Sequence, residues 1–519
     1  MVISELAAGF ANILTPFNMV VFIGALILGM LSGAIPGMNG TMTVVLLIPL
    51  TYVMDPVTGI MMLAVIYAGA VYAGSLSAIL FRVPGAPEAI MTTLDGYPMN
   101  QQGKLREAIS TAVFCSAFGG IVGTLFLIFF SPMLSQWAYQ ISSAEFFAVI
   151  LLGLALISTV GSGNVPKATM MMAGGVFIGV IGLDPMTART RFTFGSNILM
   201  SGINFIPVIL GVFALSEVFK QVQDNDQMVG GGGDGDSGID MDEVKGGGIF
   251  PPINYIKRFS RILGLNSVFG TLIGVLPGAG ATTGALFGYT FGQRIVPEKI
   301  RKQFGTGVPE GVAAPETANN AAASGAFVPL LTLGIPGSAT TAVILAAFIL
   351  HGIRPGPGMI QQQSELVYTI FAALLLANVG ILLANKLIVR SFIKVRHIPE
   401  PLLLSLIAMF AAIGAYATRT IVFDLWVMLV SGVGGYFLEK YNYPIAPLVI
   451  GLVLGPLAEP SLRRAVIKSQ GDFMVFLTRP ISAVLVVLAA LAFFIPLFQD
   501  TELGQRVVDK LFGSPEVKS

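Results

Sequence analysis

The sequence predicts an all-α polytopic membrane protein with about 12 transmembrane helices in two inverted repeats, with broken helices or re-entrant hairpins at the midplane. Three observations predict this fold. The chain has 519 residues, of which 54% are hydrophobic and 11% charged, with a mean hydropathy of +0.81, whereas soluble proteins carry about 25% charged residues. Many apolar stretches are long enough to cross a bilayer. Pro-Gly interruptions also recur at matching places in the two halves.

In the first half, apolar stretches predict spans at residues 17–35, 60–81, 107–130, 144–160, 165–183 and 198–219, with a short apolar piece at 41–54. Breaks are predicted at residues 36–40 and 82–88, because Pro lacks an N–H group and Gly is flexible. A polar loop is predicted at 95–106. The first apolar run lacks a basic start and an early cleavage motif, which indicates a retained span rather than a signal peptide. Residues 1–220 are therefore interpreted as the first membrane repeat.

In the second half, an acidic Gly-rich linker is predicted at residues 221–254, a second membrane repeat at 255–500 and a charged tail at 501–519. Composition of this kind is typical of a flexible, solvated connection. Two apolar stretches, 263–296 and 316–358, are interrupted at 277–280 and 334–337. Further spans are predicted at 366–389, 401–417, 421–438, 444–457 and 480–498.

The interruptions form an internal repeat. Five residues of the first half recur 241 residues later in the same order: Gly29, Gly33, Pro36, Gly37 and Thr41 return as Gly270, Gly274, Pro277, Gly278 and Thr282. A second Pro-Gly follows each motif, and Pro84 and Pro336 are 252 residues apart. Interrupted apolar segments at matching places in two halves indicate a transporter binding site.

Basic residues are distributed unequally between the repeats. No Lys or Arg precedes Arg82, whereas the second half begins with Lys257, Arg258 and Arg261. The positive-inside rule places that basic end in the cytoplasm and the N-terminus outside. The two halves are therefore predicted to have inverted orientations.

The breaks are predicted to bind substrate. A half-helix that begins after Pro-Gly directs free N–H groups and the positive end of its dipole at the break, which suits a carboxylate. The predicted substrate-binding residues are Gly37, Asn39, Gly40, Thr41, Arg82, Gly85, Gly278, Gly280, Thr282, Thr283, Gly337, Ser338, Thr340 and Thr341. For any one hydroxyl or amide, the alternative is a hydrogen bond within its own helix.

Charged residues near the breaks leave alternatives open. Arg82 is interpreted either as a bidentate clamp for a substrate carboxylate or as a side chain that snorkels to the interface. Glu88 is interpreted either as a cation ligand or as an ion-pair partner of Arg82. Glu316 is interpreted as an acid near the start of a helix.

Sodium is predicted as the coupling ion, because half-helix C-termini and unwound carbonyls suit Na⁺. The predicted Na⁺ residues are Asn39, Thr43, Asn319, Asn320 and Ser324. No other cofactor is predicted. Two His and one Cys are too few for a transition-metal site by spacing.

Composition and motifs argue against other functions. The net charge of +1 gives no electrostatic basis for binding nucleic acid. Walker A, kinase, G-x-S-x-G and H-E-x-x-H patterns are all missing from the sequence. The chain is therefore not expected to be an enzyme, and transport would depend on an ion gradient or on an external ATPase.

Several long motifs resemble a known family. Residues 29–38, 94–99, 103–104, 314–322, 332–337, 351–352 and 355–357 are similar to the large membrane subunit of the bacterial tripartite tricarboxylate transporters, and the resemblance covers nearly the whole chain. It implies a cation-coupled importer of organic anions, such as tricarboxylates, dicarboxylates or aromatic carboxylates, in the bacterial inner membrane. It also implies a small membrane subunit and a periplasmic substrate-binding protein as partners.

Two functions of different classes follow from these observations. The first is a Na⁺-driven secondary importer, in which the broken segments move in an elevator-type motion within a homodimer, by analogy with other inverted-repeat transporters. The alternative is a channel or scaffold subunit whose breaks only pack helices. For either function the expected partners include membrane lipid and exclude nucleic acid.

Overall fold

The computed structural model describes residues 2–35, 38–138, 141–160, 164–228, 251–395 and 400–499. Most of the predicted linker and the whole predicted tail lie outside these residues. Seven helices in the described part of the chain are long and apolar enough to cross a membrane, and several shorter apolar helices accompany them. The chain is thus a multi-pass, mainly helical protein. The predicted number of crossings and the inverted orientation stay predictions.

The first half runs in the order α1 (Val2–Ile13), α2 (Pro16–Ala34), α3 (Gly40–Thr51), α4 (Pro56–Phe81), a 3₁₀ turn (Pro87–Ala89), α5 (Thr93–Gln101), α6 (Leu105–Ala138), α7 (Ser143–Val160), α8 (Val165–Gly179), β1 (Gly182–Leu183), β2 (Thr190–Arg191), α9 (Asn197–Met200), α10 (Phe205–Ile209), a π-helical segment (Leu210–Leu215) and α11 (Ser216–Met228). The predicted breaks in this half are confirmed, because helices end at Ala34 and Phe81.

The second half runs in the order α12 (Ile253–Val275), α13 (Gly280–Ile295), α14 (Glu298–Arg301), α15 (Pro309–Gly325), α16 (Phe327–Leu333), α17 (Ala339–Leu350), α18 (Met359–Gln362), α19 (Ser364–Val395), α20 (Glu400–Ala417), α21 (Val422–Lys440), α22 (Ile445–Lys468), α23 (Val475–Thr478) and α24 (Pro480–Gln499). Both predicted breaks of this half are also confirmed.

Two predictions about local structure are wrong. The predicted polar loop at 95–106 is mostly helical, because α5 runs to Gln101. The predicted span at 198–219 starts too early. Residues 197–200 form the separate short helix α9, and the apolar helix begins at Phe205, where the Asn204 side chain accepts a hydrogen bond from the Ile206 N–H.

The chain forms two compact units. The first comprises Met1–Tyr139 and Ile203–Ile445, and the second comprises Gln140–Gly202 and Ala446–Ser519. At the centre of the first unit lie α4, which is buried from Thr58 to Leu80, and α15, which is buried along its whole length. The predicted boundaries of repeats and linker are a different division of the chain and stay predictions.

α2 packs closely on α4, and α12 packs closely on α15, through glycines that belong to the internal repeat. A Cβ atom on Gly29 would lie 2.4 Å from the carbonyl oxygen of Ile66, and one on Gly270 would lie 2.3 Å from that of Ala318. Backbones approach this closely only where side chains are absent, which is typical of helix packing in membranes. Gly33 and Gly274 repeat the contact on Ala70 and Ala322.

The second Pro-Gly of each half also packs in the same way. A Cβ on Gly85 would lie 2.2 Å from the Gly33 carbonyl oxygen and 3.1 Å from the Gly74 Cα, and one on Gly337 would lie 2.8 Å and 2.7 Å from the equivalent atoms of Gly274 and Ala326. The helix before each break ends in the left-handed conformation, at Arg82 (φ 61°) and Gly334 (φ 70°). The sequence repeat is therefore also a repeat of helix packing.

The second unit contains a short hairpin, in which β1 pairs with β2 antiparallel. Asp184 follows β1 and forms ion pairs of 2.7 Å with both Arg191 and Arg463. The Thr187 hydroxyl donates to the same carboxylate at 2.6 Å. This network fixes the hairpin against α22 within the unit.

Candidate functional site

The breaks before α3 and α17 are capped by side chains. The Asn39 side chain accepts a hydrogen bond from the Met42 N–H at 2.9 Å. Ser338 and Thr341 form a capping box, in which the Ser338 hydroxyl accepts from the Thr341 N–H at 3.1 Å. Each cap occupies the third N–H group of its helix. The first two N–H groups have no partner within the helix, so they are directed at the break.

A cluster of five hydroxyl groups joins these two breaks, one from each half of the chain. The Thr41 and Thr340 hydroxyl oxygens are 2.6 Å apart, and those of Tyr67 and Ser338 are 3.5 Å apart. Thr341 completes the set, which we call the hydroxyl cluster. Thr340 is 6% exposed and Thr41 is half-buried, so the cluster lies within the packed region.

A third break reaches the same place. Gly280 has a φ of 61°, and a Cβ atom there would lie 2.8 Å from the Ser338 Cβ. Gly278, which has a φ of 80°, lies in the turn just before it. Glycine allows these left-handed conformations and the close approach to Ser338. The structure thus brings together predicted residues from three of the four breaks.

The fourth break makes a related contact. The 3₁₀ turn Pro87–Ala89 packs against α13, at whose start Thr283 is buried and Thr282 exposed. The Asn319 amide donates to the backbone oxygen of Glu88 at 3.3 Å. The Glu88 side chain is buried, with 8% exposure. We use the word crossing for a place where a break of one half meets a break of the other. The breaks at 36–40 and 334–337 meet at one crossing and those at 82–88 and 277–280 at a second, and Gly280 of the second also approaches Ser338 of the first.

Arg82 does not lie in the hydroxyl cluster. Its side chain is exposed at the end of α4, and its guanidinium carbon lies 5.9 Å from the centroid of the Tyr97 ring. The predicted ion pair between Arg82 and Glu88 is not among the ion pairs of the described residues. Donors at the cluster are therefore hydroxyl and N–H groups.

Glu316 corrects one interpretation. It was interpreted as an acid near a helix start, but α15 begins at Pro309 and Glu316 lies in its interior. The residue is 0% exposed. Its carboxylate accepts hydrogen bonds from Thr92 at 2.5 Å and from Ser116 at 2.7 Å. The hydroxyl groups of Thr92, just before α5, and of Ser116 in α6 replace the water that would solvate an acid at the surface.

The predicted Na⁺ residues lie on two helices. Asn39 and Thr43 are at the start of α3, where the Thr43 hydroxyl donates to the Asn39 carbonyl oxygen at 3.2 Å. Asn319, Asn320 and Ser324 are buried on α15. Asn320 donates to the Asn319 side-chain oxygen at 2.7 Å and to the Glu316 carbonyl at 3.2 Å, and Ser324 donates to the Gly120 carbonyl at 3.2 Å.

Some predicted residues have a structural explanation or cannot be placed. Gly37 lies outside the described residues. Thr43 and Asn320 hydrogen-bond to carbonyls four residues earlier, which is the alternative expected for single polar residues in a helix. Gly85 and Gly337 contact neighbouring backbone, so their small size is needed for packing as well as for any ligand.

Tyr67 belongs to the hydroxyl cluster, but the sequence prediction does not include it. It lies in an uninterrupted apolar stretch, where a tyrosine attracts no attention. A signal was nevertheless present, because Tyr67 lies 252 residues before Asn319, the same separation as between the second Pro-Gly pairs. Applying the same separation to the helices as well as to the breaks identifies Tyr67.

Comparison with known proteins agrees with this architecture. Residues 19–450 match the family described as "Tripartite tricarboxylate transporter TctA family". The chain is 39% identical over 482 residues to an "Uncharacterized 52.8 kDa protein in TAR-I ttuC' 3'region" of Agrobacterium vitis, covering 93% of each chain. It is 44% identical over 214 residues to an "Uncharacterized protein in TAR-II ttuC' 3'region" of the same organism, covering 41% of this chain and 88% of the relative. No solved structure matches the chain. The chain belongs to the tripartite tricarboxylate transporter TctA family.

Proposed function

We propose that this protein is the large permease subunit of a Na⁺-driven, binding-protein-dependent importer of organic anions in the bacterial inner membrane. Membership of the family makes it a component of a tripartite transporter, together with a small membrane subunit and a periplasmic binding protein. The apolar helices make it a multi-pass membrane protein. We further propose that the chain has its own substrate site, and we propose its coupling ion and its mechanism.

The observation that carries the proposal is the 2.6 Å contact between the Thr41 and Thr340 hydroxyl groups. It joins the starts of α3 and α17, so the unpaired N–H groups of both helices face one place. A carboxylate accepts hydrogen bonds from N–H and O–H donors and is favoured by the positive end of a helix dipole. A tricarboxylate or dicarboxylate presents several such groups, which fits donors that come from two helices.

Recognition by backbone and hydroxyl groups follows from where the basic residues lie. Arg82 is exposed beside Tyr97, so it contributes as a contact at the edge of the site rather than inside the hydroxyl cluster. Desolvated N–H and O–H donors bind a carboxylate more strongly than they do in water. Aromatic carboxylates are compatible with the same donors, because Tyr67 and Phe327, whose ring centroids are 6.2 Å apart, provide an aromatic wall.

Sodium is proposed as the coupling ion, with Asn319, Asn320 and Ser324 of α15 and Asn39 and Thr43 of α3 as its candidate ligands. Their amide, hydroxyl and carbonyl oxygens are of the type that binds Na⁺ at broken helices. An anionic substrate in a low-dielectric site also needs a compensating positive charge. Alternating access by an elevator-type movement in a homodimer is proposed by analogy with other inverted-repeat transporters.

One observation favours the alternative, a channel or scaffold subunit without a substrate site. The capping box at Ser338 and the backbone contacts of Gly337 give both residues a purely structural role. Under this alternative the breaks would serve only to pack the two halves together. Ligand binding by the isolated chain separates the two functions.

The test is a thermal-shift screen of the purified full-length protein with citrate, succinate and benzoate, each in NaCl and in choline chloride of equal ionic strength. A ligand that binds the folded state raises its melting temperature. We expect at least one carboxylate to raise it, and to do so more in NaCl. The scaffold alternative predicts no shift with any carboxylate in either salt.

A further inference from the structure

The internal repeat relates the two crossings to each other, but they carry different side chains at matching positions. The separation of 252 residues relates Glu88 to Thr340 and Asn319 to Tyr67. The contacts fall at corresponding places. The Tyr67 and Ser338 hydroxyl oxygens are 3.5 Å apart in the turn that leads to Thr340, and the Asn319 amide donates to the Glu88 backbone oxygen at 3.3 Å. One crossing thus carries a neutral hydroxyl group at the position where the other carries a carboxyl group.

The equivalence rests on packing and not on numbering alone. Gly85 and Gly337, which start the two second breaks, contact equivalent atoms on equivalent helices. The helices that precede them end in the same left-handed conformation. Glu88 and Thr340 follow these anchors at the same distance along the chain, three residues after each glycine. A difference in side chain at this position is therefore a difference between two otherwise similar sites.

Glu88 is buried next to a second acid. Glu88 is 8% exposed and Glu316 is 0% exposed. Asn319 links the two acids, because it lies one turn after Glu316 on α15 and its amide donates to the Glu88 backbone oxygen at 3.3 Å. We call Glu88, Glu316 and Asn319 the carboxyl cluster.

Among the described residues, neither acid forms an ion pair with a basic side chain. The ion pairs of the described residues include neither Glu88 nor Glu316. Glu316 is satisfied by two hydroxyl donors, whereas no hydrogen bond from another described side chain reaches the Glu88 carboxylate. An ionised carboxylate buried in this way is unfavourable unless a cation joins it or a proton neutralises it.

We propose that the carboxyl cluster binds Na⁺, with Glu88 as its charged ligand, and that the hydroxyl cluster at the equivalent crossing receives the substrate carboxylate. The inference rests on the proposed function. It narrows the candidate Na⁺ site to the crossing on α15 and assigns the anion to the other crossing, so Asn39 and Thr43 are no longer Na⁺ ligands. Glu88, the Asn319 side-chain oxygen and the Glu316 carboxylate supply hard oxygen ligands. A bound cation compensates the charge of an anion in the same low-dielectric region, so Na⁺ at the carboxyl cluster favours an anion at the hydroxyl cluster.

The experiment is a Na⁺ titration of the melting temperature of the full-length protein without substrate, at constant ionic strength maintained with choline chloride. We expect the wild-type protein to be stabilised by NaCl with saturation. Glu88→Gln keeps the size of the side chain but removes its charge, and is expected to raise the half-maximal Na⁺ concentration at least tenfold. The control is Glu365→Gln, the same change at an exposed position, which is expected to titrate like the wild type.

A second variant keeps the test decisive if Glu88→Gln does not fold. Glu88→Thr introduces the residue type that the equivalent crossing already accommodates at Thr340, so it is expected to fold and to lose the Na⁺ response. The proposal is overturned if either folded variant keeps the wild-type Na⁺ response. It is also overturned if the wild type responds to pH but not to Na⁺, since Glu88 would then bind a proton.

The thermal-shift measurements with citrate, succinate and benzoate distinguish a failure of this inference from a failure of the proposed function. A wild-type protein that is stabilised by Na⁺ but by none of the three carboxylates contradicts the substrate site and leaves the cation site standing. A protein that responds to citrate and to Na⁺, but whose Na⁺ response does not depend on Glu88, contradicts the cation site alone.

Discussion

At the scale of single residues, Thr340 makes the contact that defines the hydroxyl cluster. Its hydroxyl oxygen lies 2.6 Å from that of Thr41. Thr340→Val retains the shape of the side chain and removes the hydroxyl group. We expect substrate binding to weaken at least tenfold, about 1.4 kcal/mol, in a titration of the melting temperature with citrate.

The matched control for this variant is Thr290→Val. Thr290 is exposed on α13, and its hydroxyl donates only to carbonyls of its own helix. Citrate affinity should therefore stay at the wild-type value. Equal affinities in wild type, Thr340→Val and Thr290→Val would place the substrate elsewhere.

Asp184 gives a second prediction, for the stability of the second unit. The Thr187 hydroxyl, the Arg463 guanidinium and the Met186 N–H hold the pKa of the Asp184 carboxyl well below its usual range. A depressed pKa in the folded state means that the carboxylate contributes stability above its unfolded pKa of about 3.9, and that this contribution is lost as the pH falls further. Asp184→Asn should thus lower the melting temperature at pH 7.

The measurement is the difference in melting temperature between wild type and Asp184→Asn as a function of pH. The melting temperatures of wild type and Asp184→Asn should differ by a constant amount between about pH 6 and pH 8, and the difference should begin to shrink as the pH falls below about 4. A difference that is unchanged down to pH 3 would show that packing, and not charge, explains the effect of the substitution.

Single residues were predicted unevenly from the sequence. Ser338, Thr340 and Thr41 were found because they follow Pro-Gly breaks, and the structure places them together. Glu316 was misinterpreted because its role depends on Thr92 and Ser116, which are 224 and 200 residues away in the chain. Contacts over such distances leave no local pattern in the sequence.

At the scale of helices, small residues decide how closely the central helices pack. A Cβ atom on Gly274 would lie 2.1 Å from the carbonyl oxygen of Ala322, whereas one on Gly264 of the same helix meets no atom within 4 Å. Gly274→Ala should destabilise the protein by about 1–3 kcal/mol through overpacking. Gly264→Ala should be neutral or slightly stabilising, since Ala favours the helix.

The repeat extends this prediction to the first half. Gly33→Ala should be as harmful as Gly274→Ala, because its Cβ would lie 2.3 Å from the Ala70 carbonyl oxygen, and Gly24→Ala is the matched control with open space around it. Unfolding of the four variants in detergent measures the effects. Harm in one half only would contradict the equivalence of α2 with α12.

Helices and breaks were largely predictable, whereas their boundaries were not. Pro and Gly identified all four interruptions, because both residues disfavour a continuous helix. The helix α5 was missed because its composition is polar, yet its Asp95 accepts hydrogen bonds from Gly305, Gly307 and Val308. Such a tertiary contact stabilises a helix that sequence periodicity does not indicate.

At the scale of the whole molecule, the inverted orientation of the halves is open to a direct test. Cys115 is the single cysteine and is buried, so Cys115→Ala provides a background for single-cysteine labelling. Val53 and Glu298 follow α3 and α13, the equivalent helices after the first breaks. We expect Val53→Cys to react with a membrane-impermeant thiol reagent from outside and Glu298→Cys only from the cytoplasmic side. Labelling of both from one side would contradict the inversion.

Transport is the central claim, and uptake into proteoliposomes tests it most directly. The permease would be reconstituted with its small membrane subunit and binding protein, and uptake of radiolabelled citrate, or of the carboxylate identified by thermal shift, would be measured with and without an inward Na⁺ gradient. The account predicts saturable uptake that requires the gradient and is strongly reduced by Thr340→Val. Uptake that is non-saturable and indifferent to the Na⁺ gradient would contradict it.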